Sequence, residues 1–190
     1  KLRTERLGEY DKYMGAVGYR NVKIRNVEQF LEKVRAKLGD THVQFFNAEL
    51  VAGWEHVLFA VLNALTAFKN KRNISNSLAV EILLFASAQR QIKRAVQLMG
   101  INKNTPKIVA VIIADEQKKT SGAVEKISEF LHGEEDNSVL EINDEKFCRI
   151  REAFGISDEE LKAKLRRKGL EKEALTELVV EHMALLATQR

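Results

Sequence analysis

Ser87, Gln89, Arg90 and Gln91 bring a hydroxyl, two carboxamides and a guanidinium together within five residues. Carboxamides pair with base edges and a guanidinium pairs with phosphate, so this texture suits contact with an unpaired RNA strand. Lys93 and Arg94 come directly after and extend the positive charge. Two more basic groups, Lys69 with Lys71 and Arg72, and the run 162–168, fall near helix ends, where cations also complement the helix dipole. Glu81 is different in kind, since it is the one carboxylate inside the apolar stretch Leu78 to Ala88. A lone buried carboxylate is costly, so Glu81 is expected to be paired or to anchor a neighbouring loop through its amides.

Catalytic patterns are missing from the rest. The four histidines, His42, His56, His132 and His182, fall on separate segments with no H-x-x-x-H pairing, which reads as packing or surface residues. No glycine-rich loop opens a helix after a strand, and no G-x-S-x-G elbow is present. Cys148, next to Phe147 on an amphipathic segment, reads as an inert half-buried thiol. The expectation is therefore a protein with no catalytic residues, no metal and no cofactor.

These residues need elements to hold them. Val17, Tyr19, Val22 and Ile24 suggest a strand, and Asn26 with Gln29 three residues on has the form of a helix cap before Phe30, Leu31, Val34 and Leu38. His42 to Phe46 reads as a second strand. Trp54 to Phe68 repeats apolar residues every three or four positions, the mark of a long amphipathic helix. Asn73 to Asn76 is a turn. Leu78 to Ala88 is apolar nearly all round and reads as a core helix with a break near Ser87, after which Ile92, Ala95, Val96 and Met99 resume a helical stripe. Lys107 to Ala114 is a continuous apolar β-branched run, expected of an interior strand. Val139 to Ile142 reads as an edge strand. Further helices start from Asn143, Ser157 and Gly169. The fold class expected is α/β (α+β), a small mixed central sheet packed with helices and a helix-rich C-terminal part.

The chain has 190 residues, 45% hydrophobic and 31% charged, with a formal net charge of +4. That size favours one domain, residues 15–190, preceded by a loose charged arm, residues 1–14. The single Cys cannot form an internal disulfide, no apolar run reaches the roughly 20 residues of a membrane span, and the N-terminus lacks a signal-peptide pattern. A cytoplasmic protein is expected.

The strings Phe46-Asn47-Ala48-Glu49-Leu50-Val51-Ala52-Gly53, His56-Val57-Leu58, Asn76-Ser77, Glu81-Ile82-Leu83 and Ala86-Ser87-Ala88-Gln89-Arg90-Gln91-Ile92 resemble the archaeal members of the TPRKB-like family. Asp136 to Asn143 is similar to that family as well. Its members are the kinase-binding subunits of the KEOPS complex, which makes threonylcarbamoyladenosine in tRNA. The resemblance implies a non-catalytic accessory subunit. Such a subunit binds the N-lobe of the small atypical kinase/ATPase, meets the synthase and other subunits indirectly, and holds the single-stranded CCA tail of tRNA. Residues matching the family strings with suitable chemistry for the tail are Ser87, Gln89, Arg90 and Gln91, with His56 and Asn76 as secondary candidates and Lys71 and Arg72 as phosphate grips. The kinase contact needs an exposed apolar strip, for which the long helix from Trp54 and the C-terminal helix are candidates. Two rival readings are a protein–protein adaptor with no RNA contact and an enzyme with an acid–base site at Glu81 and His56.

Overall fold

The computed structural model describes residues 1–189. Its strands are β1 (Arg3–Leu7), β2 (Lys12–Lys23), β3 (His42–Asn47), β4 (Ile108–Ala114) and β5 (His132–Glu135). Its helices are α1 (Val27–Leu38), α2 (Trp54–Lys69), α3 (Leu78–Ala86), α4 (Ile92–Met99), α5 (Gln117–Ser128), α6 (Asp144–Ala153), α7 (Asp158–Lys164) and α8 (Glu171–Thr188). The chain divides into two compact units: residues 1–48 with 100–139, and residues 49–99 with those from 140 onward.

The first unit is a sheet with two helices. Strands run in the order β1-β2-β4-β3, and β5 pairs with the far end of β2. The α/β class is as the sequence implies, but every pairing among the described residues is antiparallel, where a mixed sheet was expected. β4 is buried at all seven positions, as its unbroken apolar run requires of an interior strand. Ile108, Ala110 and Ile112 join Val17, Tyr19, Phe45, and the helix residues Phe30, Val34 and Ile127 in one apolar cluster. Asn26 caps α1 by accepting from the Gln29 amide at 3.0 Å.

Two readings of this unit need correction. Residues 1–14 are not a loose arm: Arg3–Leu7 pairs residue for residue with Lys12–Ala16. The charges that suggested an arm belong to a strand at the sheet's margin, where polar side chains are tolerated. The edge strand expected over Val139 to Ile142 is a 3-10 turn, Asn137–Leu140, and the strand lies upstream at His132–Glu135. Gly18 explains the turn's position. A Cβ there would lie 2.4 Å from Val139 Cγ2 and 2.5 Å from the Asp136 carbonyl oxygen. The bare backbone instead donates to Asn137 Oδ1 at 3.0 Å and accepts from the Asp136 amide at 2.8 Å.

The second unit is helical. α3 is buried at eight of its nine residues, the central helix that its composition calls for. α2 packs along α3, and α8 buries Leu175, Leu178, Val179, Met183 and Leu186. Ser157 opens α7 with a full capping box shared with Glu160.

Candidate nucleic-acid and partner site

The second unit places the candidate residues on one helical hairpin, α2 and α3, held by a buried polar clamp at each end. At the first end, His56 is fully buried. Its Nδ1 accepts from the Ala52 amide at 2.9 Å, and its Nε2–H donates to the Ala86 carbonyl at 2.7 Å. An amide can only donate and a carbonyl can only accept, so the Nε2–H tautomer is fixed. Burial first, with nearby Lys146 adding to it, pushes the imidazole down to about 4 against the pull of the Ala86 bond. The ring is therefore neutral near pH 7, edge-on to Phe154 at 5.7 Å.

At the other end, Glu81 is fully buried and accepts from the Ile74 amide at 3.1 Å and the Ser75 amide at 2.9 Å. It anchors the α2–α3 loop, as its apolar setting requires. Asn73 Nδ2 donates to the Ser75 carbonyl and Ser77 caps α3 on the Val80 amide, which fixes the rest of the loop.

Both helix ends close in the same way. After α3, the Gln89 amide donates to the Leu84 carbonyl at 3.0 Å and the Ala88 amide to that of Phe85 at 2.9 Å, with Ala88 at φ +52°. After α2, the Arg72 amide donates to the Ala67 carbonyl at 2.8 Å and the Lys71 amide to that of Phe68 at 3.2 Å, with Lys71 at φ +56°. Each is a Schellman cap, in which glycine is the usual left-handed residue. α6 ends on the same bonds with Gly155 at φ +62°. Alanine and lysine in that position hold a strain of roughly 1–2 kcal/mol that glycine avoids. The two strained caps are the ones that aim Gln89-Arg90-Gln91 and Lys71-Arg72.

The candidates separate accordingly. Arg90, Gln91, Lys71, Arg72 and Asn76 are exposed, and Gln89 is half-buried. No ion pair or side-chain hydrogen bond engages Gln89, Arg90 or Gln91 among the described residues, so their donors face solvent. Ser87 and His56 do not belong with them. Ser87 is fully buried and its hydroxyl bonds the Leu83 and Leu84 carbonyls at 2.8 and 3.2 Å. Neither polar group can meet an RNA directly; both position the turn that carries Arg90. The exposed candidates also form two groups rather than one. Lys71, Arg72 and Asn76 precede α3 and Gln89 to Gln91 come after it, about 13 Å apart by the rise of nine helical residues. Any ligand reaching both must run along α3.

Sequence reasoning missed the apolar neighbours. Ile92 and Val96 are 45% and 48% exposed, whereas the helical stripe had assigned them to the core. Ala95 and Met99 are buried and Leu98 half-buried, so the covered face is rotated away from Ile92 and Val96. The result is an exposed apolar pair on α4, one turn apart, with Lys93 to one side. Phe59 on α2, at 38%, and Leu185 on α8, at 57%, are exposed on the two helices expected to meet a partner. Both lie outside the apolar stripes that the sequence shows on their helices, but how much of each stays exposed is decided only by packing.

Glu81 and His56 make no acid–base pair. Each is consumed by backbone groups at its own end of the hairpin. No group of three metal-binding side chains occurs among the described residues. No helix among them is long and apolar enough to cross a membrane.

Residues 19–187 match the family described as "Kinase binding protein CGI-121". The protein named "Regulatory protein Cgi121" of Methanocaldococcus jannaschii is 42% identical to this chain over 113 residues, 60% of this chain and 70% of that relative.

Proposed function

The chain belongs to the CGI-121 family of kinase-binding proteins, and from there we propose that it is a non-catalytic, cytoplasmic accessory subunit of the tRNA threonylcarbamoyladenosine complex, KEOPS. In this reading it docks on the N-lobe of the small atypical kinase/ATPase and recruits tRNA by its single-stranded CCA tail. The name of the 42% identical relative, a regulatory protein, supports a role exercised through a partner rather than through chemistry of its own.

The observation that carries the RNA half is the Gln89-Arg90-Gln91 turn. It presents unengaged amide and guanidinium donors on a backbone fixed by the Schellman cap and by Ser87. A pre-ordered polar turn loses little entropy on binding, and the exposed Ile92 and Val96 beside it offer apolar surface for an unstacked base. Lys71 and Arg72 extend the positive surface toward the other end of α3. A tail of a few nucleotides laid along that helix meets both groups. For the kinase, Phe59 and Leu185 supply apolar anchors of the kind that form a desolvated interface centre.

A pull-down with the cognate kinase tests the first half. Titration of the purified chain with tRNA carrying or lacking its terminal CCA tests the second. Tail-dependent binding supports the reading. Kinase capture with no binding to either tRNA would reduce the protein to an adaptor, and failure to capture the kinase would remove the accessory role.

A further inference from the structure

In the first unit, a groove of about 610 Å³ lies against the end of β2, the first two turns of α1 and the residues leading into β5. Lys23, Arg25 and Lys33 line it, and no carboxylate does. Several other cations of this unit are matched: Arg20 meets Glu134 at 2.9 Å, Lys119 meets Asp40 at 3.3 Å and Lys37 meets Glu129 at 3.6 Å. Lys23, Arg25 and Lys33 have no ion pair or side-chain hydrogen bond among the described residues. Three like charges around one depression repel each other and raise the local concentration of anions.

The groove also has an aromatic wall. Phe30 is buried against Phe45 at 5.2 Å between ring centroids, but Phe130 is only half-buried and lines the groove. Gln29 lines it too, as does His132, which pairs with Lys23 across β2 and β5. Cations for a phosphate, a ring face for a base and a carboxamide for its edge are the elements of nucleotide recognition. We infer that this groove is a nucleotide-binding site, with phosphate held by Lys23, Arg25 and Lys33 and the base laid against Phe130. The site does not rest on the Arg90 turn, which uses other residues. An open groove lined by three cations suits a nucleotide that is part of a single strand, and a free mononucleotide carries the same chemistry.

The test uses the full chain with three probes: a uridine pentamer lacking CCA, AMP and inorganic phosphate. Backbone amide shifts are tracked by NMR during each titration. With the pentamer and AMP, shifts are expected at residues 23–33 and 130–132. Pentamer affinity should fall with salt at a log–log slope of about −2 for three phosphate contacts, and Lys23→Glu with Arg25→Glu should weaken it by about tenfold or more. The charge-matched control, Lys103→Glu with Lys126→Glu, should not. Pentamer tighter than AMP assigns the site to a strand, and equal affinity assigns it to a free nucleotide. Absence of shifts in the groove, an unaffected charge-reversal variant, or phosphate binding as well as AMP overturns the inference. Shifts at residues 87–94 report on the Arg90 turn alone, so the two sites stand or fall separately.

Discussion

His56 and Ala86 meet at 2.7 Å, an imidazole N–H on the last carbonyl of α3. Because the same ring accepts from the Ala52 amide, one fully buried side chain ties the entrance of α2 to the end of α3. The turn carrying Gln89, Arg90 and Gln91 begins just after that carbonyl. The histidine thus serves recognition by holding the backbone from which the exposed side chains project.

That clamp makes stability depend on pH. The folded imidazole lies near 4 and the ordinary value is 6.5, so on acidification the unfolded chain takes up the proton first. Stability is then full above about pH 7 and falls between pH 6.5 and 4, on the order of 3 kcal/mol for complete protonation. Thermal melts from pH 7.5 to 5 should show the decline, and His56→Gln should be less stable at pH 7.5 but flatter across that range. A wild-type midpoint that does not move between pH 7 and 5 would contradict the buried neutral ring.

The Glu81 clamp governs the opposite end. Glu81→Ala leaves the Ile74 and Ser75 amides without their acceptor, at a cost of about 2–4 kcal/mol, and Glu81→Gln costs less because one acceptor oxygen remains. Hydrogen exchange should accelerate at residues 71–76 in the alanine variant before it does in α8. Equal acceleration everywhere would mean global loosening instead.

Strain at Ala88 leads to a gain-of-stability variant. Glycine there relieves the left-handed alanine at φ +52°, and Ala88→Gly is expected to stabilise by about 0.5–1 kcal/mol once the greater freedom of the unfolded chain is counted. Denaturant midpoints measure this directly. A loss of stability would show that the alanine methyl makes contacts worth more than the strain.

For RNA, Arg90→Glu is expected to weaken tRNA binding by about tenfold and to lower the salt slope by about one contact. The side chain is exposed and unengaged, so the melting temperature should stay within a degree or two. Fluorescence anisotropy at several salt concentrations reads both effects. Unchanged affinity would take Arg90 out of the site.

For the kinase, a charge at Phe59 or Leu185 should interfere with a desolvated contact. Phe59→Arg and Leu185→Arg are expected to reduce kinase capture at least about tenfold, since both side chains are exposed and their loss leaves the core intact. Affinity measured by surface plasmon resonance decides it. Two variants that bind as the wild type does would send the interface elsewhere.

Composition and periodicity were enough to determine the main helices and the interior strand. The β-branched run 108–114 had to be an interior strand, the apolar repeat from Trp54 had to be a long helix, and Asn26 and Ser157 had to cap the helices they precede, because burial and capping are local consequences of side-chain type. The family strings likewise pointed to the α2–α3 hairpin and its turns. Tertiary packing decided which face of each element stayed wet. Ile92 and Val96 carry the same helical spacing as buried residues, Ser87 and His56 carry the same polar atoms as ligand-contacting ones, and only the neighbouring backbone determines which of them face solvent. The strand at Arg3–Leu7 was likewise invisible, because its pairing partner, not its own sequence, makes it a strand. Residue type specifies what a group can do, but the direction in which it points depends on contacts between segments distant in the chain.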